Sequence, residues 1–404
     1  MSTAVQEPVS EQPSVGGWLS DLRQRLGQGD VGSVPVIVAL ALIWVVFEAL
    51  NQNFLTPRNL TNLLVQTTEI GTIAVGIVLV LLLGEIDLSV GAVSGLCAAI
   101  MAVLNVKHGV SPPLAIAVAV LAGATIGAFQ GAWFTRLRIP SFVVTLAGLL
   151  AWQGALLLVL GSTGTINLFD PTVDALAGNY VPAAAGWALA VLVLVVYAGG
   201  GLLTRRRRRA AGLDLGSIQG LTARIVVAAA LVLVGAGVLN ADRGVPLAFV
   251  ILLGFAVAFD FVVRRTRFGR YILAVGGNAE AARRAGIPIN AIRVGVFALA
   301  GGMAACGGIM EASRLLAVNQ SSGGSTVLLD VIAAAVIGGT SLFGGRGTVW
   351  AAVTGALVIT SISNGMDLLA LSSSIKFLVT GGVLLAAVTI DGIARQGRQS
   401  AGRA

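Results

Sequence analysis

The chain has 404 residues, of which 56% are hydrophobic and 11% are charged, and its mean hydropathy is +0.92. Soluble domains carry about 25% charged residues, so this composition excludes an ordinary soluble protein and indicates a membrane protein. The net charge of +8 does not indicate a nucleic-acid partner, because the longest basic run, Arg205–Arg209, has no aromatic residues interleaved with it.

Residues 1–33 are polar, and we predict that they form a cytoplasmic tail with a short helix around residues 17–26. Twelve apolar segments follow. A membrane-spanning helix needs about 20 apolar residues, and several segments are shorter, so we predict an all-α, polytopic bundle of transmembrane helices with about ten full spans and some re-entrant segments. The segments are 34–50, 63–83, 88–104, 114–134, 141–160, 183–203, 225–239, 247–263, 293–311, 327–342, 349–365 and 374–391.

Basic residues are distributed unevenly around these segments. If the N-terminus lies inside and the segments alternate, 21 of the 26 lysines and arginines fall on the inside. Cytoplasmic loops carry such an excess, so we predict that both termini are cytoplasmic. The transmembrane domain is then 34–391, with a cytoplasmic loop at 264–292 and a C-terminal tail at 392–404. The basic insert 205–219 is predicted to be a solvated loop.

Two segments share one form, an apolar run, a polar turn and a helix of small residues. The turns are GEIDLSVG within 63–100 and GGTSLFGGRGT within 327–359. Transporters are often built from repeats with interrupted helices in matching positions, so the pattern predicts an internal repeat. The alternative is that helices rich in glycine, alanine and valine simply look alike.

A short charged stretch, GGNAEAARRAGIPIN at 276–290, lies between two apolar runs. An asparagine suits the N-cap, a glutamate and two arginines complement the helix dipole, and a glycine suits the C-terminal end. The pattern predicts a two-turn cytoplasmic helix, which needs a surface to dock on because so short a helix is marginal alone. The residues concerned are Asn278, Glu280, Ala281, Ala282, Arg283, Arg284 and Gly286.

Glu280-Ala281-Ala282 followed by Gly286 resembles the EAA loop of ABC importer permeases, which docks on a separate ATPase subunit. The match covers the front half of that loop, since Ile287-Pro288-Ile289 replaces the usual Ile-x-Leu-Pro ending. GEIDLSVGAVSGL (84–96) and IGGTSLFGGRGTVWAAVTGALVI (337–359) are similar to signature segments of the carbohydrate branch, which serves ribose, xylose, galactose and arabinose. The run at 361–391 is most similar to the xylose permeases.

The resemblance implies the translocation subunit of an ATP-driven importer for xylose or a related sugar, in a bacterial inner membrane. It implies a homodimer with cytoplasmic ABC ATPase subunits and a periplasmic sugar-binding protein. The chain itself is expected to be no enzyme and to bind no cofactor, with ATP used by the partner. The nearest string to a phosphate-binding loop, 339–344, is followed by Gly345 rather than lysine.

Polar side chains inside apolar segments are costly and are therefore candidates for the translocation path or its gate. Glu85 stands where the family typically has a glycine, and it adds a carboxylate beside the turn. Asp87 either caps the helix that begins near Ser89 or contacts substrate. Gln153 and Asn364 can bond sugar hydroxyls or link helices to each other.

Five other acidic residues, Glu69, Asp260, Glu311, Asp330 and Asp367, lie at or near predicted span ends and are expected at the membrane interface. Other cargoes stay open within the same superfamily, namely another sugar, a nucleoside or a branched-chain amino acid. From a different class, a proton-coupled secondary transporter stays open, and Glu85 and Asp87 are its only support. A membrane enzyme would need a clustered catalytic set, and the sequence offers none.

Overall fold

A computed structural model of the chain describes residues 34–213 and 218–400, so the predicted N-terminal tail and its short helix lie outside the described residues. A helix occupies each of the twelve predicted apolar segments. The helices are α1 (Val34–Leu50), α2 (Pro57–Leu82), α3 (Val90–Ala102), α4 (Pro112–Leu137), α5 (Ser141–Leu160), α6 (Pro171–Gly178), α7 (Ala183–Ala210), α8 (Ile218–Asn240), α9 (Leu247–Arg265), α10 (Arg267–Gly277), α11 (Ala279–Arg284), α12 (Ile289–Leu315), α13 (Ser325–Ile337), α14 (Trp350–Leu368) and α15 (Ser373–Ser400).

Eight helices of the described chain are long and apolar enough to cross a membrane: α2, α3 with its π-helical extension Val103–Lys107, α4, α5, α7, α8, α9 and α12. The prediction of a polytopic, all-helical membrane protein is therefore confirmed. α13 has 13 residues, and a helix of that length reaches about 20 Å against a hydrocarbon core of about 30 Å. It is the clearest case of a segment too short to span by itself.

Among the described residues, four short strands form two antiparallel pairs that the sequence does not predict. β1 (Thr165–Asn167) pairs with β4 (Ala317–Asn319), and β2 (Tyr180–Val181) pairs with β3 (Val245–Pro246). β1 follows α5, β4 follows α12, β2 lies between α6 and α7, and β3 precedes α9. They join the connecting loops at the end of the bundle opposite to α11.

α2 is the central helix of the bundle. From Ile73 to Leu82 its side chains are buried, and it contacts α9, α12, α13 and α14. The outer helices instead expose large apolar side chains on several faces, for example Leu150, Leu158, Val196 and Leu231. In water such surfaces would cause aggregation, but in a bilayer they face lipid.

α4 packs closely against α12, and glycines let their backbones meet. Gly123, Gly127 and Gly131 recur every fourth residue and form one face of α4. A side chain at Gly127 would overlap the carbonyl oxygen of Phe297, and one at Gly131 would lie 2.9 Å from the Cα of Val294. Small residues at this spacing allow the close approach that packs helices in lipid.

The structure differs from the sequence analysis at the basic insert. α7 continues to Ala210, so Arg205–Arg209 form the last turns of a helix rather than a loop. Arginine is a good helix former, and the C-terminal end of a helix favours positive charge. The remainder of the insert includes residues 214–217, which lie outside the described residues.

We expect Gly127→Val to lower the free energy of unfolding by about 1–3 kcal/mol or more, because the added side chain must separate α4 from α12. The measurement is the thermal unfolding midpoint of the purified protein in detergent. Gly235→Val is the matched control, since a side chain at Gly235 in α8 meets nothing within 4 Å. Equal midpoints for the two variants would contradict this packing.

Candidate coupling and translocation site

The charged stretch at 276–290 forms the predicted short helix, α11. The Asn278 side-chain oxygen accepts a hydrogen bond of 2.9 Å from the amide of Ala281 and caps the first turn. At the other end Gly286 has φ +78°, and its amide donates to the carbonyl of Arg283 at 3.0 Å. The local prediction of the helix and both of its caps is therefore confirmed.

α11 presents most of its surface to solvent. Glu280 pairs with Arg283 at 3.5 Å and with Arg284 at 3.4 Å, and these exposed pairs contribute little to stability. Ala282 is the buried residue of the helix and packs towards the bundle. The helix is thus held from one side, and its charged side chains are available to a partner.

The C-terminal end of α10, directly before α11, contacts the two polar turns. α10 ends at Gly277, and a side chain at Gly276 would overlap the carbonyl oxygen of Leu82 and lie 2.8 Å from the amide nitrogen of Gly345. That amide donates a hydrogen bond of 2.9 Å to the Leu82 carbonyl. The end of α2, the turn after α13 and the end of α10 therefore meet without side chains between them. We call this contact the glycine junction.

The two polar turns also contact each other at this junction. A side chain at Gly344 would lie 2.8 Å from the Gly276 carbonyl oxygen and 2.9 Å from the Cα of Gly84. Both turn glycines have positive φ, +75° at Gly84 and +86° at Gly344, which other residues rarely adopt. The sequence predicts two similar turns, but nothing in it predicts that they touch.

Glu85 forms an ion pair with Arg293 on α12, with 2.7 Å between the Glu85 Oε1 and Arg293 Nη2 atoms. The side chains are 14% and 27% exposed, respectively. The guanidinium also lies 5.9 Å from the ring centre of Phe134. The pair joins the turn after α2 to the first turns of α12, which directly follows the loop that carries α11.

Asp87 and Ser89 are buried at the start of α3. The Asp87 Oδ1 atom accepts hydrogen bonds from the Ser89 amide at 2.8 Å and from its hydroxyl at 2.7 Å. The Ser89 hydroxyl also lies 3.0 Å from the side-chain oxygen of Gln130, which the sequence analysis does not single out. Asp87 therefore bonds the residue directly before the first turn of α3, whereas the helix itself has no side-chain cap.

The other two path candidates make hydrogen bonds within the protein, Gln153 to the turn after β4 and Asn364 to another helix. Gln153 donates to the carbonyl of Gln320 at 3.0 Å, and Asn364 accepts from the side chain of Asn59 at 2.8 Å. The structure therefore brings Glu85, Asp87 and Ser89 together near the glycine junction, while Gln153 and Asn364 lie elsewhere. Asn364 is buried.

Glu69 does not lie at a helix end as expected. α2 begins at Pro57, six residues before the predicted start, so Glu69 is about three turns inside the helix and buried. It lies 3.5 Å from Arg314 near the end of α12. Asp330 likewise lies near the middle of α13, because that helix ends at Ile337 rather than at residue 342.

Two cavities lie towards the end of the bundle away from α11. The α2–α12 cavity, of about 330 Å³, is bordered by α2, α6 and α12, and its polar lining includes Asn62, Gln66, Asp174, Tyr180 and Arg314. The α13–α15 cavity, of about 440 Å³, is bordered by α13, α14 and α15, and its lining includes Asp330, Ser363, Lys376, Phe377 and Thr380.

A family model described as branched-chain amino acid transport system / permease component matches residues 59–388. The xylose transport system permease protein XylH of Escherichia coli K12 is 38% identical over 84% of this chain and 86% of that protein. XylH of Haemophilus influenzae Rd is 36% identical over 88% and 95%, and the ribose import permease protein RbsC of Escherichia coli K12 is 31% identical over 88% and 92%. No solved structure matches the chain.

The chain therefore belongs to this family of transport-system permeases, because the match covers most of its length. Within the family it is a sugar ABC permease, similar over most of the chain to the xylose permeases. The resemblance inferred from the EAA loop and the two polar turns is thus confirmed. Such permeases are transport components rather than enzymes, and they work with an ATPase and a substrate-binding protein.

We expect Glu85→Ala to destabilise the protein by about 1–3 kcal/mol, because the mostly buried Arg293 loses its partner. Combining Glu85→Arg with Arg293→Glu should restore part of the loss. Thermal unfolding in detergent measures both effects. Glu280→Ala, in an exposed pair on α11, serves as control and should change stability by less than about 0.5 kcal/mol. If Glu85→Ala behaves like that control, the pair does not hold the turn.

Proposed function

We propose that the chain is the membrane-spanning subunit of an ATP-driven importer in a bacterial inner membrane, with xylose or a closely related monosaccharide as cargo. The observation that carries the proposal is α11, an exposed and capped helix in a chain 38% identical to a xylose permease. α11 directly follows the end of α10, which contacts both polar turns. In this proposal ATP is used by a partner subunit, and the chain itself binds no cofactor.

The chemistry of a sugar defines what the path must provide. A hydroxyl group left unpaired in hydrocarbon costs several kcal/mol, so the cargo needs a polar, hydrated route between helices. Such a route opens alternately to each side when packed helices rock against one another. We propose that hydrolysis on the partner moves α11, and that the glycine junction passes this movement to α2 and to the turn after α13.

The proposed assembly is a homodimer with two cytoplasmic ABC ATPase subunits and a periplasmic sugar-binding protein. The loop 264–292 faces the cytoplasm in this arrangement, as do both termini. The positive charge of 264–293 and of Arg205–Arg209 supports this orientation, because basic residues are retained on the cytoplasmic side. Glu85, which supported the proton-coupled alternative, is paired with Arg293.

Gly286→Pro should leave membrane insertion intact but abolish sugar-stimulated ATP hydrolysis in the assembled complex. Proline cannot adopt φ +78°, and it removes the amide that donates to Arg283, so the end of α11 is lost. Gly212→Pro is a close match as control, since Gly212 has φ +65° and its amide donates to Arg209 after α7. Normal coupling in Gly286→Pro would contradict docking through α11.

Purification from native membranes in mild detergent tests the assembly itself. We expect an ATPase polypeptide and ATP hydrolysis to accompany the chain. A chain that carries no ATPase, moves sugar alone in vesicles and stops when an ionophore collapses the proton gradient would overturn the proposal in favour of a secondary transporter.

A further inference from the structure

We propose that the α13–α15 cavity is a sugar-binding subsite of the permease itself, with Asp330 as its hydrogen-bond acceptor. This inference rests on the proposed function and adds to it the place where the cargo is held after delivery. It concerns a neutral monosaccharide and the side chains of α13, α14 and α15.

The cavity has the size and position of a small-molecule site. Its volume of about 440 Å³ falls within the range of about 300–1,000 Å³ that is usual for ligand pockets. Its walls come from the first half of α13, the last turns of α14 and the first turns of α15. These parts of the helices lie away from the glycine junction, on the side where the proposed orientation places the sugar-binding protein.

Asp330 is the unusual residue of the cavity. Its Oδ1 atom is buried and accepts no hydrogen bond from the residues that the structure describes. Two other acidic residues of the bundle are ion-paired, Glu69 with Arg314 and Asp367 with Lys376. An unpaired carboxylate oxygen among apolar helices is costly, and such groups usually serve a ligand or a pathway.

The surrounding side chains define the class of ligand. Ser363 and Thr380 offer hydroxyl groups that both donate and accept, and the Phe377 ring offers an apolar face for the carbon side of a sugar ring. The cation in the lining, Lys376, is already paired with Asp367. A cavity with an unpaired carboxylate and a neutralised lysine disfavours an anion and suits a neutral polyol.

Several polar groups that line the α2–α12 cavity already have partners within the protein. Arg314 is paired with Glu69, and the Tyr180 ring is covered by the guanidinium of Arg243 at 4.7 Å. The Ser313 hydroxyl, also in its lining, bonds the carbonyl of Val173 at 2.6 Å. This cavity contains an aspartate of its own, Asp174, and therefore supplies a matched control.

The first test compares Asp330→Ala with Asp174→Ala in the complete transporter, reconstituted in vesicles with its ATPase and saturating xylose-loaded binding protein. A hydrogen bond to a charged acceptor corresponds to a tenfold effect or more. We expect Asp330→Ala to lower the xylose transported per ATP hydrolysed at least tenfold while ATP hydrolysis stays stimulated. Asp174→Ala should stay within twofold of the unchanged chain.

A second test does not depend on transport by the variant. Ser363→Cys and Gln66→Cys place a thiol in the α13–α15 and α2–α12 cavities, respectively. We expect xylose to slow the reaction of the Ser363→Cys complex with a small polar thiol reagent, and to leave the Gln66→Cys rate unchanged. The unchanged chain, with Cys97 buried and Cys306 half-buried, gives the background rate.

The outcomes separate this inference from the proposed function. If the unchanged complex moves no sugar, the proposed function fails. If it moves xylose and Asp330→Ala does so with normal coupling, the subsite is overturned while the function stands. If Asp330→Ala does not assemble, protection at Ser363→Cys decides, and protection at Gln66→Cys alone, or at neither position, overturns the subsite.

Discussion

The hydrogen bond from the Gly345 amide to the Leu82 carbonyl is the contact on which the centre of this molecule depends. The chain breaks after α2 and after α13, and each break removes helical partners from backbone groups inside a bundle surrounded by lipid. Such groups cost several kcal/mol when unpaired, so irregular backbone persists there only where protein satisfies it. Here the break after α13 donates a hydrogen bond to the break after α2. α10 ends at this contact, directly before α11.

Local signals predicted most of the fold. Apolar length located all twelve segments, and Asn278 and Gly286 defined α11 because capping depends on neighbouring residues only. The strand pairs and the α4–α12 contact depend on residues far apart in the chain, and a single sequence does not encode such pairings visibly. The prediction of a loop at 205–209 is wrong because it rests on the polarity of the arginines, whereas arginine also favours a helix.

The sequence predicts the local features of the candidate site but not the contacts between its helices. The exposed face of α11 follows from the sequence, and so does the presence of polar groups at Glu85 and Asp87. Their partners, Arg293 and Gln130, do not, because they belong to other helices. The role of Asp330 is not predictable for the same reason. The sequence places it near the end of a span, whereas the observed bounds of α13 place it beside α14 and α15.

The hairpin of α7 and α8 is the part of this chain that tolerates sequence change most readily. Only Gly186 and Ala190 of α7 and Ala236 of α8 are buried, and the two helices pack mainly on each other. Mutations there meet few structural constraints beyond apolarity and spanning length, so its exposed apolar side chains can exchange for one another while the centre stays fixed. It is the part of the molecule where adaptation to a particular lipid composition would accumulate first.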